Sequence, residues 1–426
     1  RNKDEREGRF LSLFDQDTNL KLQDLDEFKK QANNINDMDD SNLQSLELKE
    51  KLFTDFMHSE TYQNKKLACD LWTSAFFIKK IKFNDPVNYP VPTSSTVKQF
   101  LMGKQINKAK LNSAREVAIR YKFFHWPIEF PDIFLNGKQG FDVVLGNPPW
   151  ERPKLQEQEF FAVRRPDIAG LSSKERKKQI ESLAESSSVS DQILYKDYIA
   201  EKYFSDSFSV FMRFAGFNRF TATGDFNLYA VFTELALKLL NPKARAGYVV
   251  PSGIAMDSNN QGFFQHLIKD KKLISLYDFE NKEALFRDVH RSYKFCCLTI
   301  GNNTRPMQFI FFATNVGHLL VKDKQIELDK EDIELLNPNT KTLPVFRSKK
   351  DAELTLKIYK RVPVLINEND AENGNPWGVS FLRMFDMSND ANLFHTQDEL
   401  RKMDASSDEA APTWTGADGT KYLPLY

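Results

Sequence analysis

Asn147-Pro148-Pro149-Trp150, closing the stretch "GFDVVLGNPPW", are the residues of this chain whose types and spacing point most directly to chemistry. Each proline fixes its own φ and pushes the residue before it out of the helical region, so Asn147 and Pro148 are held extended. Neither proline carries an N–H. The turn is therefore rich in carbonyl acceptors, and the Asn147 side-chain oxygen adds one beside the Pro148 carbonyl. Two converging acceptors suit an aromatic exocyclic amine, which offers two N–H groups and a lone pair delocalised into its ring. Holding both hydrogens draws the nitrogen toward tetrahedral geometry and frees the lone pair to attack a carbon electrophile, so that positioning and electrostatics supply the catalysis. The Trp150 indole gives a nucleobase a face to stack on, a contact typically worth ~1–3 kcal/mol. A base in a duplex must first rotate out of the helix to reach it.

The elements that must position this turn follow from the pattern around it. "FDVVL" reads as a buried strand that delivers the turn, preceded by a loop, "WPIEFPDIFLNGKQG". Residues 1–120 are polar and rich in helix formers, with apolar residues at mixed three and four spacing, and form a helical segment interrupted by the prolines of "NDPVNYPVPTSS". After Trp150 the chain is highly charged and then Ser-rich, which reads as long helices joined by a mobile stretch. From Asn227 it alternates: a helix in "NLYAVFTELALKLLNP" stopped by Asn241-Pro242, a strand in "AGYVVPSG", a helix in "NQGFFQHLIKD". Three β-rich runs follow, "LISLYDFEN", "YKFCCLTIG" and "MQFIFFATN". The expected fold is α/β, a mainly parallel Rossmann-like sheet with an antiparallel edge hairpin, and ligands of such sheets bind beyond the carboxyl ends of the strands. Residues 121–330 hold that core and 331–426 begin another domain.

Composition narrows the function. Lys+Arg at 59 balances Asp+Glu at 59, so no global field drives the chain onto polyanions, and any nucleic-acid contact must come from local patches. The hydrophobic fraction of 41% supplies a core without any run of membrane-spanning length, and no signal peptide opens the sequence. Cys69, Cys296 and Cys297 read as reduced thiols of a cytoplasmic protein, and neither cysteine nor histidine spacing suggests a metal site.

"FDVVLGNPPWERPKLQEQEFFA", "TGDFNLYAVFTELALKLL", "GYVVPSGIAMD", "LYDFENKEALFRDVHRSYKFCCLTIG" and "NPWGVSFLRMFDMSND" together resemble the large restriction-modification methylases. Closest in pattern are single-chain type IIG enzymes and methylases of phage-defence systems such as DISARM, and the resemblance covers roughly residues 123–426. It implies methyl transfer from S-adenosylmethionine to adenine N6 in double-stranded DNA. Asn147 and the Pro148 carbonyl would bind the amine, Pro149 would stiffen the turn, and Trp150 would stack on the flipped base. "VHRSYKF" falls where the family places a second aromatic against that base, which makes Phe295, or secondarily Tyr293, the candidate. The family's Gly-rich cofactor turn, of the Asp-x-x-x-Gly-x-Gly kind, has no match; "TATGDFN" has one Gly and follows no strand. The expectation is an excerpt of a longer polypeptide that lacks most of its cofactor site and works with the remainder of that polypeptide, with double-stranded DNA and, in defence systems, with further subunits.

Plainer readings stand beside these. Asn147 to Trp150 by themselves could be a proline turn with a packing Trp, and "GNPWG" at Gly374 to Gly378, with one proline and no strand before it, reads as structural. Asp167, Glu175 and Lys177 can be forced into a nuclease pattern, but their helical, charged setting reads as a solvated face. Its basic members Arg164, Arg165, Lys174, Arg176, Lys177 and Lys178 are candidates for phosphate contact without sequence readout. Asp278 and Glu280 alternate on one strand and are given no acid/base role. Two rival functions remain: methylation of a glutamine amide or RNA base, and a fragment that only binds DNA or a partner subunit.

Overall fold

The computed structural model of the chain describes residues 22–80, 90–134, 140–383, 385–386, 388–407 and 412–425. Two compact units divide it, residues 1–363 and 364–426. The first opens with helices α1 (Leu22–Asn36), α2 (Leu43–His58), α3 (Glu60–Phe77), α4 (Ser94–Leu101) and α5 (Lys108–Tyr121). Local signals set their starts. Asn42, Ser59, Thr93 and Asn107 each accept a backbone N–H at a helix N-terminus, which is why these polar residues stand before apolar-periodic runs. Phe28, Phe56 and Tyr62 cluster across α1, α2 and α3, and Leu71 of α3 packs with Val97 and Ala114 of α4 and α5.

Two single-turn helices, Trp126–Glu129 and Pro131–Phe134, stand where a loop was expected. Strand β1 (Phe141–Gly146) follows. A charged helical excursion comes next: α6 (Glu157–Arg164), α7 (Ser173–Ser182) and α8 (Val189–Phe214). Its Ser-rich connection forms a bonded turn, with Ser186 Oγ donating to Asp191 at 2.9 Å and Arg165 donating to the same carboxylate at 2.8 Å. The chain then alternates through α9 (Leu228–Leu239), β2 (Leu240–Val250), α10 (Gln261–Lys269), β3 (Leu273–Glu280), β4 (Lys294–Gly301), β5 (Met307–Ala313) and β6 (Ile326–Leu328). Helices α11 (Lys330–Leu336) and α12 (Lys349–Tyr359) complete the unit.

The sheet order is β1-β2-β4-β3-β5-β6. β1, β2, β3 and β5 run one way; β4 and β6 oppose them. The mainly parallel sheet is thus present and β5–β6 forms its antiparallel edge pair. β4 is a second reversed strand, and it lies in the interior between β2 and β3. Cys296 and Leu298 of β4 are buried among Leu276, Phe309, Phe263 and Phe264 in the main core. Ile333, Leu336, Leu343, Phe346 and Ala352 join the same core.

One expectation fails. β1 is not a buried strand: it pairs only with β2 among the described residues, and Val143 and Leu145 stand 62% and 78% exposed. A continuous apolar run signals burial on two faces, yet the run cannot report whether a neighbouring strand or helix is there to provide it. Gly140, at φ 139°, sits so close to the Leu239 carbonyl that an added Cβ would meet it at 2.5 Å. This close approach seats the start of β1 against the α9–β2 junction. Within the second unit, helix α13 (Gln397–Lys402) accompanies a small antiparallel sheet of β7 (Ser406–Ser407), β8 (Trp414–Thr415) and β9 (Lys421–Tyr422). No described helix is long and apolar enough to cross a membrane.

Candidate functional site

β1 carries the turn to the carboxyl edge of the sheet. Its parallel register pairs Val144 with Ala246 and Gly146 with Tyr248. A Cβ on Gly146 would lie 2.9 Å from the Tyr248 ring, so glycine lets the strand's last residue pass that ring without displacing it. Beyond it Asn147 and Pro149 are exposed, Pro148 is buried and Trp150 is half-buried. Trp150 packs against both core clusters at this end of the sheet, the one beneath β2 and the one containing Phe279, Phe295 and Ile310. Its indole Nε1 donates to Asn147 Oδ1 at 3.1 Å.

That bond ties the flat ring to the amide. An amide oxygen has two lone pairs, so one stays open on Asn147. The Pro148 carbonyl accepts no hydrogen bond among the described residues. An exposed amide oxygen with a spare lone pair and an unengaged carbonyl on a buried proline thus stand one residue apart at this bend, beside an indole tied by its own N–H. The contrast with Asn375 of "GNPWG" is direct: there the side chain donates to the Val379 carbonyl at 2.8 Å and accepts from the Val379 N–H at 2.9 Å. Asn375 is consumed by its own turn, and Asn147 is not.

The exit from the turn is pinned. The Glu151 carbonyl accepts from Leu228 N at 3.0 Å at the start of α9, and Arg152 pairs with Asp225 at 2.5 Å. Ser205 of α8 donates to the Pro153 carbonyl at 2.7 Å and accepts from Leu155 N at 2.9 Å. Behind it lies a device that the sequence did not disclose. Glu234 of α9, 2% exposed, accepts the backbone N–H groups of Arg219, Phe220 and Thr221 at 2.8, 3.2 and 3.0 Å, together with the Thr221 hydroxyl at 2.8 Å. One carboxylate thereby fixes the start of the loop between α8 and α9, the loop that also carries Asp225.

The other candidates separate. Phe295 is 5% exposed, stacked on Phe279 with centroids 5.3 Å apart and met edge-on by Phe286 at 5.1 Å. It shares a cluster with Trp150 and supports the site from beneath. Tyr293, at the turn before β4, is 54% exposed. Arg164 donates to the Phe160 carbonyl at 2.9 Å and lies over the Phe160 ring, while Arg165 is held by Asp167 and Asp191. Lys174 and Lys177 remain exposed on α7. Glu175 is spent in the Ser172 capping box, so Asp167, Glu175 and Lys177 form no cluster of carboxylates.

Asp278 and Glu280 tie the strand ends together. Asp278, 1% exposed, accepts from Ser252 Oγ at the end of β2 and from Phe312 N at 3.2 Å. Burial pushes its carboxyl above the ordinary 3.8, against the opposing pull of those two hydrogen bonds. Glu280 pairs with Lys282 and, at 3.1 Å, with Lys294 of β4, and the Lys282 hydrogen bond leads in lowering its carboxyl below 4.5.

A model of the Eco57I restriction-modification methylase matches residues 9–215 and 198–286, more than half of the chain. The chain belongs to the Eco57I restriction-modification methylase family. No curated protein matches it. Among solved structures it is similar to a DrdV–DNA complex, with 13% identity over 62% of this chain and 18% of that chain and a TM-score of 0.21. It is also similar to a nuclease-deletion mutant of the type ISP restriction-modification enzyme LlaGI with a DNA substrate mimic, with 11% identity over 70% of this chain and 18% of that chain and a TM-score of 0.22. A third is the methyltransferase subunit of a type I restriction-modification system from Streptococcus thermophilus, with 12% identity, 74% and 56% covered and a TM-score of 0.23. The chain thus spans 18% of the length of each of the first two.

S-adenosylmethionine is the methyl donor that the methylase family implies, and the described ends of β1, β2 and β3 do not build its site. β1 runs into Asn147-Pro148-Pro149, β2 into Pro251-Ser252-Gly253, and β3 into a 3-10 turn at Asn281–Glu283. None of these described strand ends opens on a Gly-rich turn of the kind that could cradle a nucleoside.

Proposed function

We propose that this chain carries the target-base half of a DNA methyltransferase that modifies adenine at N6. The supporting observation is the Trp150 Nε1 to Asn147 Oδ1 bond of 3.1 Å beside an unengaged Pro148 carbonyl. The remaining Asn147 lone pair and the Pro148 oxygen each take one amine hydrogen, and the indole covers the purine. Tyr293, exposed at the same edge of the sheet, supplies the second aromatic against the base, with Phe295 beneath it. The methyl donor is S-adenosylmethionine, held chiefly outside this chain, and the other partners are double-stranded DNA and the rest of the full-length polypeptide.

In the full-length enzyme, Asn147→Ala should lower methyl transfer to duplex DNA by about 10²–10³-fold, the scale of losing one directed hydrogen bond to a reacting group. DNA affinity should stay within about two-fold. Asn147→Asp keeps an acceptor for both the amine and the indole and should retain a measurable part of the rate. Radiolabel transfer to DNA, RNA and protein, with N6-methyladenine quantified by mass spectrometry, checks both statements. Full turnover in the Ala variant, or label appearing on RNA or protein instead, would overturn the assignment.

A further inference from the structure

The carboxyl edge of the sheet bears a second concave feature, toward the end opposite β1. An open cleft of about 340 Å³ is lined by Glu280, Lys282, Phe312, Thr314, Lys324 and Arg347. Strand order explains how these residues meet. Glu280 ends β3, Thr314 follows β5, Lys324 closes the 3-10 turn before β6, and Arg347 precedes α12. Lys294, first residue of β4, reaches in beside them, 3.1 Å from Glu280 and 5.0 Å from the Phe312 centroid.

Charge there is unbalanced. Glu280 is shared between Lys282 and Lys294, and Glu283 at the rim is engaged by Thr314 Oγ1 and, at 3.1 Å, by Asn315 Nδ2. Lys324 and Arg347 have no carboxylate partner among the described residues, and Arg347 lies 5.9 Å from the Phe312 centroid. Lys282, Lys294, Lys324 and Arg347 thus outnumber Glu280 and Glu283, in a chain whose charges cancel overall.

The backbone aims the aromatic lining. Opposite Asp278, β5 carries an irregularity: Tyr277 pairs with Ile310 and Phe279 with Ala313. Phe312, inside it, is left-handed at φ 53°, a conformation that a bulky side chain adopts only when its surroundings impose it. Asp278, through Phe312 N, does the imposing. The bulge turns the Phe312 ring out of the core alternation and into the cleft.

An apolar guest would leave these cations unpaired, and a carboxylate would use few of them. A phosphate ester would meet a guanidinium and an ammonium at once. We infer that this cleft seats a backbone phosphodiester of the DNA whose target base stands at Asn147, with Lys324 and Arg347 as its principal contacts; the inference rests on the proposed function. Three strand spacings separate β1 from β3 and four separate it from β5, or ~14–19 Å at ~4.8 Å each. That spans about four to six rises of ~3.4 Å along one DNA strand, within a single footprint.

The test is fluorescence polarisation of labelled duplex DNA with the full 426-residue chain, titrated across salt concentrations. The double variant Lys324→Ala/Arg347→Ala should bind several-fold more weakly on every duplex sequence and should lose about 0.9 from the slope of log affinity against log salt. Arg347→Lys should keep the slope, and Lys51→Ala on α2 should change nothing. Melting curves establish that the variants fold; if the double variant melts early, the exposed Arg347→Ala alone carries the comparison. An unchanged slope in a variant whose parent binds DNA would overturn the cleft and leave the proposed function standing. A parent that binds no duplex would overturn both. Binding of AMP by the parent and its loss in the variant, with duplex binding unaffected, would also overturn the inference by assigning the cleft to a free nucleotide.

Discussion

Asn147 keeps a free lone pair because its bond to Trp150 uses only one, and the next buried carboxyl along the edge, Asp278, is set by different physics. Burial raises Asp278 above its ordinary 3.8, so the folded state favours the protonated form. Its contribution to stability is full below that value and declines as pH rises through the raised one. Glu280, lowered below 4.5 by Lys282, works in the opposite sense: its contribution is present above 4.5 and is lost on acidification. Asp278→Asn cannot ionise, so urea unfolding from about pH 4 upward should show a shallower loss of stability than the parent. Equal slopes for the two proteins would show that Asp278 does not carry this penalty. The residue scale was partly legible. Two prolines and an asparagine announce a donor-poor turn from sequence alone, whereas the Ser252 and Phe312 partners of Asp278 become visible only when β2 and β5 flank β3.

At the scale of elements, periodicity placed the helices and strands from Asn227 onward because apolar spacing is a local property. What it could not convey was adjacency. β4 reads as one more strand in a succession, yet it lies reversed between β2 and β3. β1 reads as buried, and its lateral neighbours decide otherwise. Glu234 is likewise silent in sequence, an ordinary acidic residue within a helix, until the fold brings three N–H groups to it. Replacing it with Ala strands buried donors, each costing ~1–3 kcal/mol, and should lower stability by about 3 kcal/mol or more. Differential scanning calorimetry of Glu234→Ala reads this directly. A loss under about 1 kcal/mol would mean that water or a shifted loop replaces the carboxylate.

Taken as a whole, the first unit is a sheet bounded unequally. β6, at one end, is short, and β1 at the other pairs on one side only among the described residues, with Val143 and Leu145 exposed. Edge strands of that kind template further pairing unless a charge or a covering element intervenes. Leu145→Lys should therefore reduce concentration-dependent association in sedimentation velocity while leaving the melting temperature nearly unchanged, because little apolar surface is withdrawn at a side chain already 78% exposed. Persistent association in that variant would move the adhesive surface elsewhere.

The tether between indole and amide has a spectroscopic consequence. Of the five tryptophans in the chain, Trp150 shares its N–H with Asn147. A guest amine on that oxygen's other lone pair would perturb the fluorophore's ground-state dipole as well as its solvent shell. Occupancy of the bend is thereby written into the protein's own emission, with no label attached.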